Sequence, residues 1–166
     1  MNPAHLHLAL NHIPVLGTLF GLLLLALAAW RKSDELKRLS LWVFAAVAVL
    51  AIPAYLSGEP AEEMVEHLPG VSESLIKAHE EAAEAAFICL IILGTAATVG
   101  LVISRRGKRL PAWFSVPTMV LALVVGGLMT WTANLGGKVR HTEIRAGNDS
   151  SPGVLRNPPA RHHRDD

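Results

Sequence analysis

Charge along this chain is confined to a few short stretches, and between them run four long segments with no charged residue or almost none. A helix rises about 1.5 Å per residue, so crossing roughly 30 Å of hydrocarbon takes about 20 apolar residues. Residues 12–30, 39–56, 82–103 and 112–135 meet that requirement. None carries the polar stripe that a helix on the surface of a soluble bundle needs. Pro53 and Pro117 fall inside two of the segments; lipid-embedded helices tolerate this when neighbours satisfy the freed carbonyls. The pattern predicts an all-α chain, a four-transmembrane-helix up-down bundle.

Flanking charge predicts the orientation. No Lys or Arg precedes His12, whereas Arg31, Lys32, Lys37 and Arg38 follow the first segment, the reverse of the order in a signal peptide. Arg105, Arg106, Lys108 and Arg109 fill the connection between the third and fourth segments. By the positive-inside rule both basic turns are cytoplasmic and both termini lie outside. The loop after Ser57 has Lys77 as its only base and agrees with this; Lys138, Arg140 and Arg145 in the tail run mildly against it. Trp30, Trp42 and Trp113 stand near span ends, where interfacial anchors belong.

On the outer side, Gly58-Glu59-Pro60-Ala61-Glu62 predicts a helix start and Leu68-Pro69-Gly70 a break, which makes a short helical cap between helices 2 and 3. Ser72 is the expected N-cap of a segment that leads through His79 into the third span, and Asn11 that of a helix with Pro14 in its first turn. The membrane domain therefore covers 1–145, and the Asn-, Pro- and Arg-rich residues 146–166 are expected to be a disordered tail.

Composition refines this picture. The chain has 166 residues, 51% hydrophobic and 17% charged, with a formal charge of +1, which argues against a nucleic-acid binder. Cys89 is the only cysteine, so an internal disulfide, a CxxC pair and a CxxCH haem attachment are excluded.

The predicted topology gathers the histidines on one side. His5, His7 and His12 precede or open span one, His67 and His79 belong to the cap and the head of span three, and His141 follows span four. His5 and His12, seven apart, share a face if the helix is continuous. His79 shares a stripe with Ala82, Ala83 and Ala86, small residues that admit close approach. Neutral imidazole is a good ligand for haem iron and for transition metals. The candidate cofactor ligands are His12, His79, His141 and His5, and the candidate metal ligands His12, His79, His141 and Glu84, the last lying a turn inside the apolar region. Hydrogen bonding of these histidines to cap and headgroups is the equally weighted alternative. There is no HExxH pair, no Glu-x-x-His pair of the di-iron bundles, and no histidine near the inner face for a second haem. Mid-membrane ionisable groups of the kind found in pumps are also missing from spans one, two and four.

Asn11-His12-Ile13-Pro14, Tyr55-Leu56-Ser57-Gly58, His79 and the closing run from Asn134 to His141 together resemble a family of small four-helix bacterial inner-membrane proteins whose domain has no assigned function. The resemblance covers about residues 4–145 and departs from the family pattern in placing Ile13 between His12 and Pro14. It implies the fold and a multi-pass location in the bacterial plasma membrane.

The functional expectation is a redox-associated binding protein, not an enzyme, that holds one haem b or one metal ion near its outer face. Its expected partners are the lipid bilayer and a periplasmic or membrane redox protein. The alternative is a non-catalytic membrane subunit or assembly factor that docks a partner through the acidic rim of its cap.

Overall fold

The computed structural model describes residues 2–68 and 71–141. All regular structure among them is helical: α1 (Pro3–Leu10), α2 (His12–Arg31), α3 (Asp34–Leu56), α4 (Gly58–Val65), α5 (Glu73–Ile103) and α6 (Ala112–Arg140), with a 3₁₀ turn at Arg105–Gly107. The expected tail, and the Pro69-Gly70 break, lie outside the described residues. Four stretches are long and apolar enough to cross a membrane: Pro3–Arg31, Asp34–Val65, Glu73–Ile103 and Ala112–Val139. Each outruns the apolar segment expected for it, because polar and charged residues flanking that segment continue the same helix.

Helix α2 packs on α3 and α6, and α5 packs on the same two, so the four long helices close into a ring. Leu41, Phe44, Leu90, Leu93 and Val125 are fully buried at its centre. Glycines set the spacing. A Cβ on Gly21 would stand 2.6 Å from the Phe44 ring, and Cβ atoms on Gly17 and Gly94 would collide with Val47 and Ala48. Between apolar helices in lipid, such close backbone approach supplies the packing that water would otherwise drive. The outward face carries Leu16, Leu23, Trp42, Ile92, Val116 and Leu123, all exposed, as a lipid-facing surface requires.

The two basic turns meet. Lys32 ends α2 in a left-handed conformation (φ 53°), and Ser33 caps α3 by accepting the Leu36 N–H at 3.3 Å. Arg109, beyond the second turn, donates from Nε to Asp34 Oδ2 at 3.3 Å. Both turns therefore lie at one end of the ring.

Candidate functional site

At the other end, two imidazoles are tied into the bundle by the same atom. Helix α1 starts on Asn2, whose side chain accepts the Ala4 N–H at 2.9 Å, and has Pro3 in its first turn. It buries no residue completely, but it rests on α3 and α4 and turns His7 inward, half-buried. His7 Nδ1 donates to Ala54 O at 3.1 Å and lies 3.2 Å from Ser57 Oγ, which itself donates to Ala54 O at 2.8 Å. Ala54 is in the last turn of α3, where carbonyls lack intrahelical partners. An imidazole and a hydroxyl supply what the helix end leaves open.

His79, on α5, donates from Nδ1 to Thr132 O of α6 at 3.0 Å. Its ring lies against Gly136 so closely that a Cβ there would be 3.0 Å from Cε1 and 3.3 Å from Nδ1. Glycine at 136 thus leaves the ring its place. Gly136→Val is expected to push the imidazole off the Thr132 carbonyl while leaving the helix intact. An NMR signal of the His79 ring that keeps its wild-type shift and exchange protection in that variant would refute the assignment.

A carbonyl oxygen only accepts, so both rings carry a proton on Nδ1 and leave Nε2 as the acceptor nitrogen. Neither Nε2 has a hydrogen-bond partner among the described residues. Both rings lie at the end of the bundle away from the basic turns. Metal-binding histidines are commonly oriented in this way, one ring nitrogen held by a carbonyl and the other left to the metal.

The residues singled out from sequence fall differently. His12 is exposed and donates to Leu8 O, four residues back in α1, at 3.0 Å. His5, His141 and Glu84 are exposed too, and no ion pair of Glu84 is present among the described residues. Those residues include no group of three or more His, Cys, Asp or Glu placed to hold a metal ion. Among the described histidines, His7 and His79 are the half-buried ones. Asn11 does not cap α2: it keeps helical angles (φ −63°, ψ −23°) and makes no capping hydrogen bond. Its Oδ1 instead points into the protein, buried and without a partner among the described residues, as do Thr18 Oγ1 and Thr132 Oγ1. Ser72 precedes α5 in an extended conformation but bonds Ser74 Oγ at 2.9 Å, not the helix N–H groups.

Two further surfaces adjoin this end. Glu62 of α4 is within electrostatic reach of Glu80, Glu66 and Glu59, and burial first, then those charges, raise its carboxyl above the usual range. Leu19, Leu22, Gly126, Gly127, Trp131 and Asn134 line an open apolar groove of about 620 Å³ between α2 and α6. The chain matches no protein-family profile, no curated protein and no solved structure.

Proposed function

We propose that the chain is a bacterial inner-membrane protein that binds one transition-metal centre, haem b iron or a single ion, which His7 and His79 would hold, and serves electron transfer at the outer face. One observation carries this reading: two half-buried imidazoles at the same end of the bundle, each with Nδ1–H fixed on a backbone carbonyl and Nε2 left unpartnered among the described residues. Imidazole nitrogen suits iron, copper, zinc and nickel, and helix bundles present such ligands inward.

The proposed topology alternates up and down. Its support is the pairing of Gly17 with Val47 and Gly21 with Phe44, in which one chain position climbs as the other falls. With the basic turns inside, α1 and α4 form an outer cap over the histidines. Detergent-purified protein is expected to carry close to one metal per chain. An absorption spectrum, oxidised and then reduced, distinguishes haem by its Soret band from a bare ion. Protein with neither a Soret band nor stoichiometric metal would end the proposal.

A second reading is favoured by the acidic patch of Glu59, Glu62, Glu66 and Glu80. Four carboxylates, with only His67 among the described residues paired to one of them, at 3.2 Å, suit a cationic surface of a partner protein, whose docking the cap would serve. A partner that co-purifies stably, and survives replacement of both His7 and His79, would support this reading over the first.

A further inference from the structure

The two turns that meet at one end of the ring, residues 31–38 and 105–109, carry four bases each. Asp34 and Glu35 are the only acids on them. Asp34 is shared: it takes Lys37 Nζ at 3.5 Å within its own helix and Arg109 Nε at 3.3 Å from the other turn. Glu35 makes no ion pair among the described residues, and Arg31, Lys32, Arg38, Arg105, Arg106 and Lys108 have no carboxylate partner there. All six but Arg38 are exposed. Like charges at this density repel, and one shared surface carboxylate offsets little of the repulsion. The end of the bundle is short of negative charge.

Backbone geometry is an independent sign that the charge has a use. Lys32, which ends α2, and Arg106, in the 3₁₀ turn, both lie in the left-handed region, at φ 53° and 59°. Glycine occupies that region freely, and a residue with a Cβ does not. Both corners hold a base where glycine would fold at less cost, and local strain of that kind collects at functional positions. Depth decides what the anion is. Trp30 is 79% exposed and Trp113 71%, one directly before Arg31 and the other four residues after Arg109. The Arg31 guanidinium lies 5.9 Å from the centre of the Trp30 ring. Exposed tryptophan at the end of a span sits at the level of the lipid headgroups. The bases next to it are therefore beside lipid phosphates.

We propose that the two turns form one binding surface for an anionic phospholipid, and that a headgroup with two phosphates, as in a diphosphatidylglycerol, bridges them. Guanidinium groups pair with phosphate bidentately, and basic clusters between helix ends at a membrane surface recognise such headgroups. A bridging headgroup supplies both turns with the negative charge that Asp34 alone does not. The surface lies at the opposite end of the bundle from His7 and His79 and does not depend on the metal centre.

The test uses the full chain in vesicles of phosphatidylcholine carrying either phosphatidylglycerol or diphosphatidylglycerol at equal total charge. Protein extracted gently from them is analysed by native mass spectrometry for the lipid it keeps. Diphosphatidylglycerol is expected on the wild-type protein at least about tenfold above its share of the vesicle lipid, because several bases act on one headgroup. Equal enrichment of the two anionic lipids per unit charge would remove the bridge, and enrichment of neither would leave the bases to an acidic protein surface; both outcomes overturn the proposal. Lys32→Gly with Arg106→Gly sets folding against binding. In neutral phosphatidylcholine this variant is expected to raise Tm by relieving both corners, while its lipid enrichment falls severalfold. Arg105→Gln with Lys108→Gln leaves the corners as they are and should lower enrichment likewise, whereas Lys77→Gln, exposed at the other end of α5, should not. Enrichment unchanged in the first two variants would overturn the surface. Inorganic phosphate that raises the Tm of delipidated protein as far as short-chain diphosphatidylglycerol does would assign the bases to a free anion, against the proposal.

Discussion

His79→Ala is expected to empty the metal site, leaving less than about a tenth of the wild-type metal or haem per chain at equal loading, while His12→Ala keeps it full. The contrast follows from the rings' surroundings. His79 is held by Thr132 O at 3.0 Å and seated on Gly136. His12 is exposed on the other side of its helix and bonds only Leu8 O. Loss of an outer-shell partner alone typically weakens metal binding about 10–100-fold, and loss of a ligand costs more. His7→Ala is expected to match His79→Ala. Metal analysis of the three purified variants decides the matter, and a His12→Ala protein that loses its metal while His79→Ala keeps it would reverse the assignment.

The second large effect concerns the bundle itself. Gly94 lies where α3 and α5 cross, and a Cβ there would collide with Ala48 Cβ, with the Phe44 carbonyl 3.5 Å away. Neither obstacle is the movable end of a long side chain. The helices must separate, which takes Phe44, Leu90 and Leu93 out of contact at the centre of the core. Overpacking of this kind costs about 1–3 kcal/mol for one added methyl group, so Gly94→Ala is expected to lower the midpoint of unfolding clearly. Gly94→Leu should leave little folded protein in detergent. Gly127→Ala is the control, since nothing stands within 4 Å of a Cβ at that position. Equal midpoints for the two alanine variants would show that the α3–α5 crossing does not limit stability.

The four spans are legible in the sequence because an uncharged run of about 20 apolar residues suits a bilayer and few other surroundings. Their ends are not. α5 begins at Glu73, well before its apolar part, because Glu, Lys and Ala are good helix formers whether or not lipid surrounds them. The histidine site is half legible: the sequence points to His79 and His12, and the fold adds His7, half-buried where His12 is exposed. The difference turns on Asn11. As a cap it would break the helix and leave the phase of His7 undefined, but in its helical conformation the phase carries through. At about 100° per residue, His7 and His12 then differ by roughly 140° around the axis, so one turns in and the other out. The same phase sets His5 beside His12, and both are exposed. Gly17-xxx-Gly21 is a readable signal of close packing that the length of the apolar run overshadows. The hydrogen bonds to Ala54 O and Thr132 O have no signal at all, since backbone carbonyls are the same at every residue.

The most direct test of the imidazole pair is X-ray absorption at the edge of the bound metal in the purified, fully loaded protein. The pair predicts the multiple-scattering pattern of two imidazole rings, with nitrogen at about 2.0–2.1 Å if the metal is zinc, falling to one ring in His7→Ala. A spectrum without imidazole scattering, or one that His7→Ala and His79→Ala both leave unchanged, would contradict it.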